Sequence, residues 1–553
     1  MSTSAEQNEN IEEELKRQVR AAVDSNDTAG LAGCLPELVK FFLQRKLFEE
    51  GRRLLHDFLT ESIATGQRSP QALYRMNVGF LHFETKDWAS AAMEFSLFGA
   101  LLTYSERRLL SDEWDNHLEL FRLYYSKALD AWAQSAFLTG KTTESLRVEE
   151  WRRCRAELCR LTDEGVAAAS NLTFLCLNVT TRNVEGLAKG IGCSFAVVLR
   201  AYSNRVLTWV ISGATGKVEY HCAYEKAKGL AAIRAWVDNG ARASLEQGKT
   251  LEALAEALWE PIVEKCKGLR KLLMDAKSGT RSKPIYFLPD AALSSIPFAA
   301  FRFSERFLIE LVGVAQCTSL HGVIYNRERW NVIRKRQQEQ QQTGPRALLG
   351  AFGSDAQKEE AEAIEQAGKR LGALLGARTF VGEEATPDQV IELASRDTYV
   401  IHLAAPRAPA GETDGAGLQL AGGTVLSARE LAARFRHHAG NLAPISARLV
   451  TMCSYAPADK PLADSGLEGL VQTALAQGCP CVLASKWDVP AAQDADILHK
   501  CYADMTRDKE KTLIDALRDA ILTSLESPIH HWAALTPHGY AGIQFDGALN
   551  PAV

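Results

Sequence analysis

Hydrophobic residues recur along this chain with two periods, and the texture changes once. From about residue 9 to residue 165 apolar positions return every three or four residues, and proline is nearly absent after Pro36, which predicts a run of helices. In YRMNVGFLHFETKDWASAAMEFSLFGALL, residues 74–102, two such helices are predicted to meet at a turn over Thr85, Lys86 and Asp87. Around residue 170 short strand-like runs take over: NLTFLCLNV, SFAVVLRAY, VLTWVIS and VEYHCAY. The SGATG turn at 212–216 predicts a hairpin over 205–222. Helices are expected at about 224–243 and 250–276, the second with Pro261 as a kink. From 283 onward PIYFLP, RALLGAFG, TYVIHLAA, ARLVTMC and CPCVLASKW alternate with helical patterns. Strand–helix alternation implies an α/β fold with a mostly parallel sheet covered on both faces. Residues 1–8 read as a disordered polar tail, and 327–345, RERWNVIRKRQQEQQQTGP, as a charged connector: an exposed helix ending in a loop at Gly344-Pro345. Proteolytic processing of that connector is the sharper alternative to a solvated segment.

Within the helical part, Gly79, Ala91 and Phe95 are spaced twelve and then four residues apart. This resembles the TPR repeat, whose small residues let paired helices approach while an aromatic fills the space between repeats. Forty residues earlier, PELVKFFLQRKLFEEGRRLLHDFL places Gly51 and Leu55 in the matching slots, and a third, weaker pair falls in 120–160. A period near 40 defines an all-α, TPR-like domain over 9–165. It either docks a protein or peptide partner or props the domain that follows.

Composition narrows the function classes. A chain of 553 residues holds two or more domains, and 46% hydrophobic with 24% charged residues is an ordinary globular balance. The net charge of −5 gives no basic footprint, so nucleic acid is not the expected partner. The N-terminus, MSTSAEQNENIEEELKRQ, lacks the basic and apolar segments of a signal peptide. No apolar run reaches the ~18 residues of a membrane span. A cytoplasmic protein without membrane contact is expected. Its twelve cysteines, with Cys154/Cys159 and Cys479/Cys481 the closest pairs, lack zinc-ligand spacing and read mostly as buried apolar side chains. No metal is expected, and without a G-x-x-x-x-G-K-[ST], G-x-G-x-x-G or H-E-x-x-H motif no cofactor is expected either.

In open parallel sheets reactive groups gather at the carboxyl ends of the strands. Two strand ends here carry chemistry. VIHLAAPRAPAG, residues 400–411, holds His402 and is expected to break into a loop at Pro406. ARLVTMCSYAPADKP places Cys453 where an apolar run turns into a polar loop, ahead of a helix over 465–477. That is a nucleophile's position, or a buried structural cysteine's.

From about residue 194 onward, ordered segments resemble the CHAT domain, a caspase- and separase-like branch of the cysteine peptidases. IYFLPDAALSSIPFAAFR is similar to its strand, Pro-Asp turn and "iPf-aaLr" segment, and FLIELVGVAQCTSL to its "yLie-f-v-yapSl" segment. VGEEATPDQVIELASRDTYVIHLAA resembles its "geeAt" and histidine strands, and LVTMCSYA its "LvvLSACeTg" nucleophile strand. SGLEGLVQTALAQGCPCVLASKWDVP and SPIHHWAALTPHGYAG resemble its later helix, strand and closing segment. The resemblance implies a caspase-like CHAT domain over 166–553.

It also implies a site. The family's histidine strand reads H-x-x-x-H-G, with the second histidine the base. Here the first histidine is His402, the base slot is Pro406 and the glycine slot Arg407. Cys453 stands as the nucleophile, and the usual Glu-Thr-Gly followers are replaced by Ser454, Tyr455 and Ala456. Four extended residues from 402 to 406 span about 13 Å, too far for His402 to replace the base directly. His402 is expected mid-strand in the core; His437 and His438 are distant alternatives. The leading expectation is a degenerate peptidase fold that binds a protein or peptide through its repeats and its CHAT cleft, where Pro406, Arg407, Ser454 and Tyr455 are the altered site positions. The alternative is an active cysteine endopeptidase using Cys453. A third reading makes the CHAT fold an inert platform for the helices.

Overall fold

The computed structural model describes residues 2–25, 27–106, 119–163, 184–246, 249–339, 347–351, 358–381, 384, 386, 388, 398–411, 415–420, 424–439, 445, 447–455 and 467–545. The chain divides into two compact units, one of Met1–Thr162 with Ala167–Val184 and the other of Asp163–Val166 with Glu185–Val553. Among the described residues, no helix is long and apolar enough to cross a membrane.

The first unit is all helical: α1 (Ser2–Asp24), α2 (Thr28–Arg45), α3 (Phe48–Ala64), α4 (Arg68–Glu84), α5 (Trp88–Glu106), α6 (Ser126–Leu138) and α7 (Thr142–Asp163). Helix α1 begins at Ser2, inside the stretch expected to be a disordered tail. Its Glu/Lys/Arg-rich sequence forms ion pairs three and four residues apart, such as Lys16 with Glu12 and Glu13. Successive helices reverse at residues with positive φ: Lys46 (60°), Gly66 (71°), Lys86 (62°) and Gly140 (79°). The first three lie twenty residues apart, so each helix–turn–helix pair repeats every forty, the TPR-like period in the sequence. Gly79 is needed for close approach, since a Cβ there would lie 2.7 Å from the Phe95 ring of its own hairpin. Phe58 stacks on Tyr74 at 5.6 Å and so joins one pair to the next.

The second unit is built on a 13-stranded sheet. It begins with β1 (Phe195–Ala201), β2 (Val206–Ser212) and β3 (Val218–Tyr224), which form an antiparallel meander containing the expected hairpin. Helices α8 (Ala227–Glu246), α9 (Lys249–Leu258), α10 (Glu260–Lys265) and α11 (Lys267–Lys277) follow. The single helix expected over 250–276 is therefore three. Pro261 lies in the first turn of α10, where its missing N–H costs no helical bond, and so it starts a new helix. Next come β4 (Ile285–Leu288), the small hairpin β5 (Arg302–Phe303) and β6 (Arg306–Phe307), β7 (Val314–Gln316), α12 (Leu320–Glu339), β8 (Ala347–Ala351), α13 (Lys358–Leu375) and β9 (Arg378–Val381). The chain continues through β10 (Val400–Gly411), β11 (Gly415–Gln419), β12 (Val425–Leu426), α14 (Ala428–Ala439), β13 (Leu449–Tyr455), α15 (Glu468–Ala476), β14 (Cys481–Ser485), α16 (Ala491–Arg507), α17 (Leu513–Leu522) and β15 (Leu535–Gly539).

The strand order is β12-β11-β10-β13-β14-β15-β7-β4-β1-β2-β3, with β8 on β10 and β9 on β8. Strands β9, β8, β10, β13 and β14 form one parallel block, and β15, β7, β4 and β1 another. The blocks meet antiparallel at β14 and β15. Alternate residues of β10, β13 and β14 enter two different cores. Val400, Ala404, Leu449 and Cys453 join the larger one, and Ile401, Leu403, Val450 and Met452 the other. Both faces are therefore covered, as the near-continuous apolar runs require.

Two further expectations change. The charged connector 327–345 is not a fully exposed helix, because α12 buries Trp330, Ile333 and Gln337 along one stripe; its Gly344-Pro345 end lies outside the described residues. NLTFLCLNV also lies outside them. Strand β10 does not break at Pro406. Its pairing with β8 ends at Ala404 and its pairing with β11 begins at Arg407, so the proline falls where the strand exchanges partners.

Candidate functional site

The candidate residues sit on two adjacent parallel strands. Strands β10 and β13 pair in register, with His402 opposite Thr451, Ala404 opposite Cys453, Ala405 opposite Ser454 and Pro406 opposite Tyr455. Strand β13 runs two residues past Cys453, because the Ser454 amide donates to Ser485 Oγ at 2.9 Å and Tyr455 bridges to Val489. Cys453 therefore lies inside the strand instead of at its mouth, fully buried.

Because side chains alternate, His402, Thr451, Cys453 and Tyr455 share one face. Asp494 and Tyr502 of α16 pack onto it. The Tyr502 hydroxyl lies 3.1 Å from His402 Nδ1 and 2.7 Å from Thr451 Oγ1, linking the two strands to the helix. His402 is fully buried, its Nε2 has no hydrogen-bond partner, and burial pushes its pKa down to about 4. At neutral pH it is an uncharged imidazole held by a phenol. It also stands two residues, roughly 7 Å of strand, behind the level of Cys453.

The surroundings of Cys453 disfavour a thiolate. Burial pushes its pKa well above the ordinary thiol value, and the nearby Asp494 carboxyl adds to the effect. Asp494 is fully buried on the first turn of α16 with its carboxyl beside the Cys453 thiol, and burial raises its pKa to about 8. Tyr455 is likewise buried and its hydroxyl pushed well above its usual range by burial. The imidazole, thiol, carboxylic acid and phenols of this face are thus all neutral at pH 7. Among the described residues, no histidine nitrogen is hydrogen-bonded to the Cys453 sulfur. His437 and His438 fall at the end of α14, and their side chains lie outside the described residues.

The opposite face carries a second cluster. Ser454 Oγ donates to Asp488 Oδ1, and Arg407 Nε lies 3.2 Å from Asp488 Oδ2. Asp488 is buried, while the Arg407 side chain is 31% exposed. An ion pair thus ties β10 to the segment after β14. Pro406 is half-buried between the clusters.

Sequence reading missed Asp494, Tyr502 and Asp488. One signal was present. Asp494 falls on the apolar stripe Ala491, Ala495, Leu498, Tyr502 and Met505 of α16, and an acid on a buried stripe marks an unusual environment. Among the described residues, no group of three or more His, Cys, Asp or Glu side chains could hold a metal ion.

The family model for the CHAT domain matches residues 248–540. No curated protein matches the chain. Two solved structures of the Saccharomyces cerevisiae separase–securin complex, at 3.0 and 2.6 Å resolution, are similar in fold, with TM-scores of 0.45 and 0.41 and 9% sequence identity in each case. In both the alignment covers 93% of this chain and 50% of the matched chain, so the protein spans about half the length of those relatives.

Proposed function

The chain belongs to the CHAT-domain family, and from that premise we propose that it is a member whose peptidase site is degenerate and which acts by binding a protein or peptide. The observation that carries the reading is the strand register, in which the base slot Pro406 faces Tyr455. Counted without a gap from Leu449, LVTMCSYA lays the cysteine of "LvvLSACeTg" on Tyr455, and Cys453 on the serine two places earlier. On this assignment both members of the dyad are replaced, the base by proline and the nucleophile by tyrosine. Cys453 becomes a core residue. An endopeptidase using Cys453 would need an ionised thiol and a proton donor for the leaving amine. Burial keeps the Cys453 thiol protonated and shuts it away from any substrate, so the ionised nucleophile is not supplied.

The binding role would be divided between the helical hairpins and the surface around the β10 and β13 ends. A cytoplasmic setting is part of the proposal and is supported by the free, mostly buried cysteines among the described residues.

The test is restoration. The wild-type protein should leave Cys453 unlabelled by iodoacetamide at pH 7.5 until it is unfolded. The triple variant Pro406→His, Arg407→Gly, Tyr455→Cys sets a histidine in register with a cysteine and should gain cleavage of a peptide library that the wild type leaves intact. Rapid labelling of native wild-type Cys453, together with cleavage of a peptide library lost in Cys453→Ala, would establish the active-peptidase reading instead.

A further inference from the structure

On the second unit, away from the β10/β13 face, a cavity of about 570 Å³ opens between α12, the turn before β4, the start of α17 and the segment after β15. Its lining is basic. Arg281 and Lys283 come from the turn, Arg327 and Arg334 from α12, and Asp515 is the one carboxylate among the lining residues. This local excess of positive charge stands on a chain whose net charge is −5.

The arrangement follows from helical spacing. Arg327, Asn331 and Arg334 are four and then three residues apart, so they share one face of α12. Arg327 and Arg334 are half-buried. The Arg327 guanidinium donates to the Gly190 carbonyl, a neutral partner, and Gly192, at φ 78°, carries the chain past it. A Cβ on Gly192 would lie 3.9 Å from the guanidinium. Among the described residues, no carboxylate lies within ion-pair distance of Arg281, Lys283 or Arg327. Asp515 is engaged by the Thr512 hydroxyl at 2.7 Å. The cations of the hollow outnumber its one carboxylate, and the excess of positive charge favours an anion there.

We infer that this cavity binds a small molecule bearing two or more phosphoryl groups. Guanidinium forks grip phosphoryl oxygens in pairs, and Asn331 adds a neutral amide donor to the same wall. The volume falls in the range of small-ligand sites, roughly 300–1,000 Å³, and exceeds what a single phosphate fills. Tyr540 also lines the cavity and brings an aromatic side chain to it. The binding is by side chains, in keeping with the absence of a glycine-rich phosphate loop from the sequence.

The test is isothermal titration of the full-length protein with inorganic tripolyphosphate, ATP and AMP at low and moderate salt. Tripolyphosphate and ATP should bind, AMP at least tenfold more weakly, and all of them more weakly as salt screens the cations. Equal affinity for tripolyphosphate and ATP assigns the binding to the phosphoryl chain; tighter ATP binding adds a ring contact, which Tyr540→Ala should remove. The Arg281→Glu, Lys283→Glu double variant changes two exposed side chains, so it should keep the wild-type melting temperature while losing at least tenfold in affinity. No binding of tripolyphosphate or ATP at about 1 mM, a standard free energy near −4 kcal/mol, overturns the inference. So does binding that the double variant leaves unchanged. A poly-glutamate peptide that binds more tightly than tripolyphosphate and displaces it would reassign the cavity to an acidic protein segment.

Discussion

Replacing Asp494 by asparagine should change the slope of stability with pH, and the sign can be worked out from the structure. Asp494 is fully buried beside the Cys453 thiol, and burial raises its pKa from 3.8 to about 8. Between those values the folded protein keeps the proton and the unfolded chain releases it. The native state therefore binds more protons, and stability falls as pH rises from about 4 until the slope flattens near 8. At pH 7 the accumulated loss is about three pH units at ~1.4 kcal/mol each, roughly 4 kcal/mol. Asparagine has nearly the same shape and cannot ionise. Its buried amide donors cost about 1–3 kcal/mol if they find no partner, but that cost does not depend on pH. Urea denaturation of wild type and Asp494→Asn, followed for the second unit at pH 5, 6, 7 and 8, separates the two effects. The buried histidines, His402 and His538, have depressed pKa values and oppose the slope at acid pH, but they are common to both proteins and drop out of the difference. The variant should gain on wild type by roughly 1.4 kcal/mol per pH unit from 5 to 7, levelling off towards 8. A difference that stays constant over that range would show that Asp494 is already ionised in the folded protein, and would remove the argument that the Cys453 face is neutral.

Tyr502→Phe should destabilise the second unit by about 2 kcal/mol or more, because it strands His402 Nδ1 and Thr451 Oγ1 in the core; adding Thr451→Val should recover part of the loss in the same denaturation assay. Gly79→Val should lower the melting temperature of the helical unit, since its Cβ would sit 2.7 Å from Phe95, and overpacking of this kind costs about 1–3 kcal/mol; an unchanged melt would mean that the α4–α5 contact is looser than described. Pro406→His alone should leave the protein without peptidase activity on a fluorogenic peptide library, because the residue it faces is Tyr455 and not a cysteine; cleavage by this single variant would refute the register argument.

The parts of the molecule that were legible in the sequence are those in which local pattern and tertiary role agree. The helical period, the turn at Thr85–Asp87, the apolar strand Ile285–Leu288 and the part of Leu449–Tyr455 up to Cys453 follow from burial on one face or both. Strand β15 was not legible because LTPHG carries a proline, normally an argument against a central strand; it is accommodated because the pairing to β7 is confined to His538. The continuation of β10 past Pro406 was hidden for a similar reason, as the sequence does not show that the strand changes partners there. The site suffers most from this kind of ambiguity. Side chains alternate along a strand, so a two-residue shift preserves the face and a local motif search finds a cysteine on the correct side of the sheet. Only the pairing partner separates the two positions, and the partner of Cys453 is Ala404, while that of Pro406, the proposed base slot, is Tyr455. Register is a property of two strands about fifty residues apart in sequence. It sets which side chains could ever have met across this pair, and here it brings together proline and tyrosine.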